Sequence, residues 1–387
     1  MNPHPSFSPY LQTATWHEFK QNTYQKSHAH LALNKALRFS WQDLEDMIRA
    51  DGASQAQNLG LYHRGHKVQD GLSLVAGLKE SGNAGPGVLH SLMAEGATLV
   101  WNDVANLHSE IMAFATSLAT SLRGRVQANL YASQEGQQGF QSHFDVHDVF
   151  AVHLVGEKTW RLYQGREDLP ISHPRYHQLD QAYFDAHKGE VLAEVTLKPG
   201  DLLYLPRGTY HDALATSGVS LHIAFGLTTP LGLDVISALF EALVSLPWGR
   251  QSLPEDPHEH AAFLREGTQI IQDLMTSSAF RQQLIHLQHQ LIAPQAAEKR
   301  EDTSSETYSL SVENLKVIQR HDGYWLSNPQ AEVRIPEGGE QMVNWILEQK
   351  RFCLGHFDEA FATHPASKRQ YILEGLCRMG ILGLEKN

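Results

Sequence analysis

The chain runs to 387 residues, 42% of them apolar, with a formal net charge of -12. That length calls for two or three domains, the apolar content excludes wholesale disorder, and the acidic balance argues against extended nucleic-acid binding. Cys353 and Cys377 are the only cysteines, which excludes a disulfide scaffold or a cysteine-rich zinc module and leaves two core thiols in apolar, helical-looking surroundings.

The N-terminus lacks the basic-then-apolar pattern of a secretory signal. No apolar run reaches the roughly 20 residues of a membrane-spanning helix, so a cytoplasmic, non-membrane protein is expected. Residues 16–19 begin a helical patch. Ser40, three residues ahead of Asp43, resembles a cap for a helix whose apolar side is Leu44, Met47 and Ile48. Residues 101–122 read as one amphipathic helix carrying Val104, Leu107, Ile111, Met112, Phe114 and Leu118, suited to covering a β domain.

From Arg125 the period becomes that of strands: 126–131, two runs within 149–163 around a turn at Gly156-Glu157, then 193–197, 201–205 and 220–226. A short helix lies near 180–184. Many short strands with Gly and Pro turns predict an antiparallel, double-sheet jelly roll closed upon itself. Residues 1–229 thus form a β domain with an N-terminal helical elaboration.

Residues 230–300 read as helical, either packing on the barrel or forming a dimer contact, and 298–306 as a polar linker. Strands at 315–318 and 331–335 and helices at 339–348 and 366–379 make 301–387 a small winged-helix-like domain. From Ser311 onward ten acidic residues face nine basic ones, so this tail does not read as a DNA reader. No Walker-type phosphate loop or Gly-x-Ser-x-Gly elbow is present.

The chemistry concentrates in two stretches. In Gln141-Ser142-His143-Phe144-Asp145, residues two apart in an extended chain share a face, so His143 and Asp145 look into one cavity. His211, shortly after the turns at Pro199-Gly200-Asp201 and Pro206-Arg207-Gly208, could reach it from a neighbouring strand. With 23 histidines in the chain, a lone His-x-Asp says little; the Gly-rich loop before it and the placement of His211 strengthen it. Two imidazoles and a carboxylate form the facial triad of non-haem iron(II), leaving three octahedral positions open. Zinc fits the same donors but has no redox chemistry. Imidazole must be neutral to coordinate, so acid should release the metal.

Lys158 sits in an apolar strand, where an ammonium is costly unless an anion meets it. The far carboxylate of 2-oxoglutarate would serve; a solvent-facing lysine at a hairpin edge is the other reading. Asn129, Tyr131 and Thr209 are further candidates for lining the same pocket. His147 would crowd the metal as a fourth ligand and has a pocket or a structural role. The same choice holds for His222. His258, His260, His286 and His289 read as surface groups.

On the residues from Ser142 to Phe150, Gly156 to Arg161, and Pro199 to His211, the chain resembles the JmjC-domain 2-oxoglutarate oxygenases, in particular their ribosomal-oxygenase branch. The resemblance implies a cupin-like double-stranded β-helix followed by a helical dimerisation region and a winged-helix-like domain. It implies that His143, Asp145 and His211 hold Fe(II), that Lys158 binds the C5 carboxylate of 2-oxoglutarate, and that O2 is consumed. Some bacterial members carry arginine where Lys158 stands, so this chain offers one ammonium instead of a bidentate fork. The implied substrate is an arginine or histidine of a ribosomal protein, and the implied assembly a homodimer. N-methyl-lysine demethylation would use the same oxidant, and a non-catalytic cupin-like binding protein would share the fold.

Overall fold

The computed structural model describes residues 7, 10–51, 56–63, 66–70, 93, 96–137, 139–292, 307–312, 314–320, 323–327, 332–335, 339–361, 369, 372, 373, 375–377, 379 and 381–385. They fall into two compact units, Met1–Pro294 and Gln295–Asn387.

The first unit contains strands β1 (Ala29–Ala32), β2 (Leu59–His63), β3 (His66–Asp70), β4 (Thr98–Trp101), β5 (Arg125–Gln134), β6 (Asp148–Val155), β7 (Lys158–Arg166), β8 (Val191–Leu197), β9 (Asp201–Leu205), β10 (Thr209–Ala215) and β11 (Val219–Thr228). Eight form one antiparallel sheet in the order β1-β9-β6-β11-β5-β4-β2-β3, and three form a second, β10-β7-β8. A β domain of two antiparallel sheets with helical additions is therefore present. Among the described residues the hydrogen bonding leaves the two sheets unclosed.

Side-chain alternation explains the layering. On β5, Ala128, Leu130 and Ala132 enter a large core, as do Leu221, Ile223, Phe225 and Leu227 of β11. The helix Ser109–Leu122 covers that face with Ile111, Phe114, Leu118 and Leu122. A second cluster joins the two sheets through Val149, Ala151, Trp160, Leu162, Leu197, Leu203 and Leu205. The residues of β5 and β11 on this inner face include Tyr131 and His222, and both line the cavity described below.

The helix read over 101–122 begins later than expected. Thr98–Trp101 is fully buried and pairs with β2 and β5. Asp103 then turns the chain with φ 59°, and Val104 and Leu107 belong to a short 3-10 approach and its cap. Met112, assigned to the apolar face, is exposed. The helix Trp41–Asp51 starts where expected: Asp43 accepts from the Ser40 N–H at 2.6 Å, and the Asp43 N–H donates to Ser40 Oγ at 3.3 Å.

At Gly156, between β6 and β7, the chain crosses from one sheet to the other with φ +70°, and a Cβ there would collide with the Val219 carbonyl. After β11, helices span Gly232–Val244, His260–Thr276 and Ser278–Ile292. His258, His260, His286 and His289 lie there, with His260 Nε2 at 2.9 Å from the Pro254 carbonyl.

The second unit has its own core around Met342, Ile346, Phe352 and Phe357. It comprises β12 (Thr307–Leu310), β13 (Lys316–Arg320), β14 (Gly323–Ser327), β15 (Glu332–Arg334), β16 (Arg351–Cys353) and β17 (Leu382–Glu385), with helices Glu340–Gln349 and Leu354–Ala360. Cys353 and Cys377 are half-buried, and Cys353 ends a strand instead of lying in a helix. The linker at 298–306 and much of the helix read at 366–379 lie outside the described residues.

Candidate active site

Backbone pairing builds the site. The His143 N–H donates to the His211 carbonyl at 3.0 Å, the His211 N–H returns a bond to His143 at 2.8 Å, and the Gly208 N–H donates to the Asp145 carbonyl at 2.9 Å. This isolated bridge precedes β6, which begins only at Asp148. His143 and Asp145 therefore lie ahead of the strand that was expected to start with them, in a segment held extended by the turn into β10.

One ligand atom each of His143, Asp145 and His211 lies within 4.8 Å of the others, and His211 Nε2 stands 3.6 Å from Asp145 Oδ2. His143 Nδ1 sits 2.8 Å from the Gln141 carbonyl and His211 Nδ1 2.9 Å from that of Thr209. A carbonyl accepts only from N–H, so both rings carry the proton on Nδ1 and leave Nε2 bare for a metal. Burial, then the neighbouring His143, pushes His211 down to about 4, keeping it neutral. Burial acts to raise the Asp145 carboxyl, yet His147, His143 and His211 together hold it below the usual carboxylate range.

The donors open into a cavity with about 540 Å³ of empty space, its mouth included. Lys158, Tyr131, Trp160 and His222 line it together with Thr98 and Phe140. Lys158 is only 4% exposed, which overturns the solvent-facing alternative. Its Nζ is 3.5 Å from Ser133 Oγ, and no carboxylate pairs with it among the described residues. Burial lowers its pKa to about 8. Ser133 Oγ and Thr98 Oγ1 lie 2.9 Å apart beside it.

The remaining expected residues divide. Tyr131 lines the cavity. Asn129 does not: its side-chain oxygen accepts from the Asp103 N–H at 3.1 Å. Thr209 is likewise absent from the wall; its hydroxyl donates to the Pro206 carbonyl at 2.8 Å, and its backbone orients His211. His147 packs against Gly226, where a Cβ would meet its Cε1 at 2.7 Å. His222 faces inward. Ser133, Thr98 and Phe140 were missed. The alternation Asn129, Tyr131, Ser133 could have found the first; Thr98 was hidden because its segment was not read as a strand.

Two imidazoles, a carboxylate and a buried ammonium without an anion define the chemistry of the pocket, and residues 105–235, which include the three donors and Lys158, match the JmjC domain family model. Over part of its length the chain is similar to ribosomal oxygenases. It is 35% identical over 147 residues to the bifunctional lysine-specific demethylase and histidyl-hydroxylase NO66 of Dictyostelium discoideum, covering 38% of this chain and 28% of the relative. Human ribosomal oxygenase 1 is 31% identical over 194 residues, covering 48% and 28%. The chain spans less than a third of the length of these curated relatives. A structure of YcfD, a ribosomal oxygenase from Escherichia coli in complex with cobalt and 2-oxoglutarate, aligns over 97% of this chain and 100% of that one, with 16% identity and a TM-score of 0.48. No helix among the described residues is long and apolar enough to cross a membrane.

Proposed function

We propose that this chain is an Fe(II)- and 2-oxoglutarate-dependent dioxygenase that hydroxylates a side chain, arginine or histidine, of a ribosomal protein. The observation that carries the reading is one cavity holding both the bare donor set of His143, Asp145 and His211 and the anion-less ammonium of Lys158. Those three residues would hold iron(II), which with 2-oxoglutarate supplies the activation of O2. The balance is substrate C–H, O2 and 2-oxoglutarate giving substrate C–OH, succinate and CO2.

The chain's own groups do the positioning. Carbonyls of Gln141 and Thr209 fix both imidazole tautomers. Lys158 would neutralise the far carboxylate of 2-oxoglutarate, with Tyr131 among the neighbouring polar groups and Trp160 excluding water. Asn129 would act by bracing the turn at Asp103, and Thr209 through its carbonyl. The two open sheets would face each other as the double-stranded β-helix of this class.

The negative charge of the chain suits a basic ribosomal protein in the cytoplasm. Leu233, Ile236, Phe240 and Val244, 59%, 56%, 63% and 44% exposed, form a stripe along the helix Gly232–Val244. That uncovered face supports a homodimer built through 230–300, with 301–387 as a winged-helix-like domain and no extended nucleic-acid contact.

Mass spectrometry of ribosomal proteins incubated with the enzyme, iron(II), 2-oxoglutarate and O2 tests the reading: a gain of one oxygen on a single side chain is expected. The name of the NO66 relative favours demethylation as a second reading, and formaldehyde release without a stable oxygen gain would establish it instead. Bound iron with no visible charge-transfer band on anaerobic addition of 2-oxoglutarate would point to a binding protein.

A further inference from the structure

The cavity holds more polar groups than one ammonium needs. His222 on β11 stands opposite Tyr131 of β5 on one side and His153 of β6 on the other. The three rings are nearly parallel, with Tyr131 and His222 at 4.9 Å and 10°, and His222 and His153 at 6.4 Å and 7°. Trp160 meets the His222 edge at 5.5 Å and 81°. His153 is anchored by Nε2 on the Gly156 carbonyl at 3.0 Å. The plane of His222 is thus fixed from several sides.

His222 is 3% exposed, yet its Nδ1 is buried without a hydrogen-bond partner. Ser220 Oγ, on the same strand, is in the same state. A polar group in that condition is costly unless something meets it. Burial first, and then the charge of Lys158, keep the ring neutral, so it retains one N–H donor and one acceptor. A second cation would repel Lys158, whereas a neutral donor adds a bond without adding charge. The carboxylate among the described residues that line the cavity is Asp145, which belongs to the metal donor set, so an external anion is the missing partner.

Resting on the function proposed above, we infer that His222 is a specificity-determining residue, donating a hydrogen bond to the same far carboxylate that Lys158 neutralises. It thereby selects a five-carbon keto diacid over a keto acid of that length lacking the second carboxylate. The stack of Tyr131 and His153 holds the ring at its angle, so the neighbours act as positioning residues.

The test is calorimetric binding to the manganese(II)-loaded full chain, which needs no turnover, using 2-oxoglutarate and 2-oxopentanoate, the same carbon chain ending in methyl. His222→Phe is expected to weaken 2-oxoglutarate about 10- to 100-fold, the range of a hydrogen bond to a charged group, and to leave 2-oxopentanoate unchanged. His222→Gln should restore part of the loss. In turnover, KM for 2-oxoglutarate should rise with kcat kept. Equal weakening of both acids, or no change, would overturn the inference while leaving the proposed activity standing. A wild type that binds no 2-oxoglutarate would sink both. Should the Phe variant not fold, the ring nitrogens of 15N-histidine-labelled, zinc-loaded wild type supply the answer: the His222 signals must shift with 2-oxoglutarate and stay still with 2-oxopentanoate.

Discussion

His143 and His211, far apart in sequence, exchange both of their backbone hydrogen bonds, at 3.0 and 2.8 Å, and their ring centroids stand 4.6 Å apart. The separation of the two nitrogen donors is thus set by a main-chain bridge and not by side-chain packing. His143→Ala and His211→Ala should therefore fold, with a near-native circular dichroism spectrum. Each should lose more than about 100-fold in iron or manganese affinity, above the loss from an outer-shell partner. Titration with manganese(II) followed by electron paramagnetic resonance measures it.

Lys158→Met is expected to stabilise the ligand-free protein while abolishing binding of 2-oxoglutarate. The folded pKa near 8 lies below the free lysine value of 10.5, so below pH 8 the folded state carries a charge it would shed. The penalty is complete at pH 7 and relieved as pH rises from about 8 to 10.5, where the unfolded chain alone keeps the proton. The difference between variant and wild type should reach roughly 2–3 kcal/mol at pH 7 and shrink above pH 8. Urea unfolding at pH 7 and 9.5 decides it.

Acid should unfold the metal-free protein over a defined window. His153 and His211 are held by burial at about 4, below the 6.5 of a free imidazole. Between pH 6.5 and 4 the unfolded chain takes protons that the folded chain refuses, so stability falls as pH falls, by roughly 3 kcal/mol apiece at most. His153→Leu should flatten that dependence, which denaturant melts at pH 6.5, 5.5 and 4.5 would record.

Gly226→Ala should displace His147, since the new Cβ would approach its Cε1 to 2.7 Å. An overpacking cost of about 1–3 kcal/mol is expected, together with weaker metal binding, because His147 comes first among the neighbouring imidazoles that lower the Asp145 carboxyl. Gly226→Ala combined with His147→Ala should regain the lost stability in a thermal melt.

Phe240→Glu places a charge in the exposed stripe of the helix Gly232–Val244. If that face joins two copies, sedimentation velocity should show monomers where the wild type sediments as a dimer, with dimer affinity falling at least about 30-fold.

The sequence carried the donor residues and Lys158 because their signals are local: a two-residue spacing, two turns, and a lysine in an apolar run. It did not carry the division of strands between two open sheets, since alternation states which face is buried and not which neighbour is paired. The start of the helix near Ser109 was misplaced because Trp101, Val104, Leu107 and Ile111 fall at the three- and four-residue spacing of a helix face. Asn129 and Thr209 were expected in the cavity; local hydrogen bonds to Asp103 and Pro206 draw their side chains elsewhere. The ring stack through His222 depends on register across three strands, which no local pattern encodes.

The unpaired charge of Lys158 has a consequence for the lifetime of the protein as well as for its chemistry. A dianion bound beside that ammonium would relieve its desolvation and favour the native state by mass action. If the proposed function holds, the keto acid would be a folding ligand as well as a reactant, so the concentration that half-saturates the site would also mark where the melting temperature begins to climb.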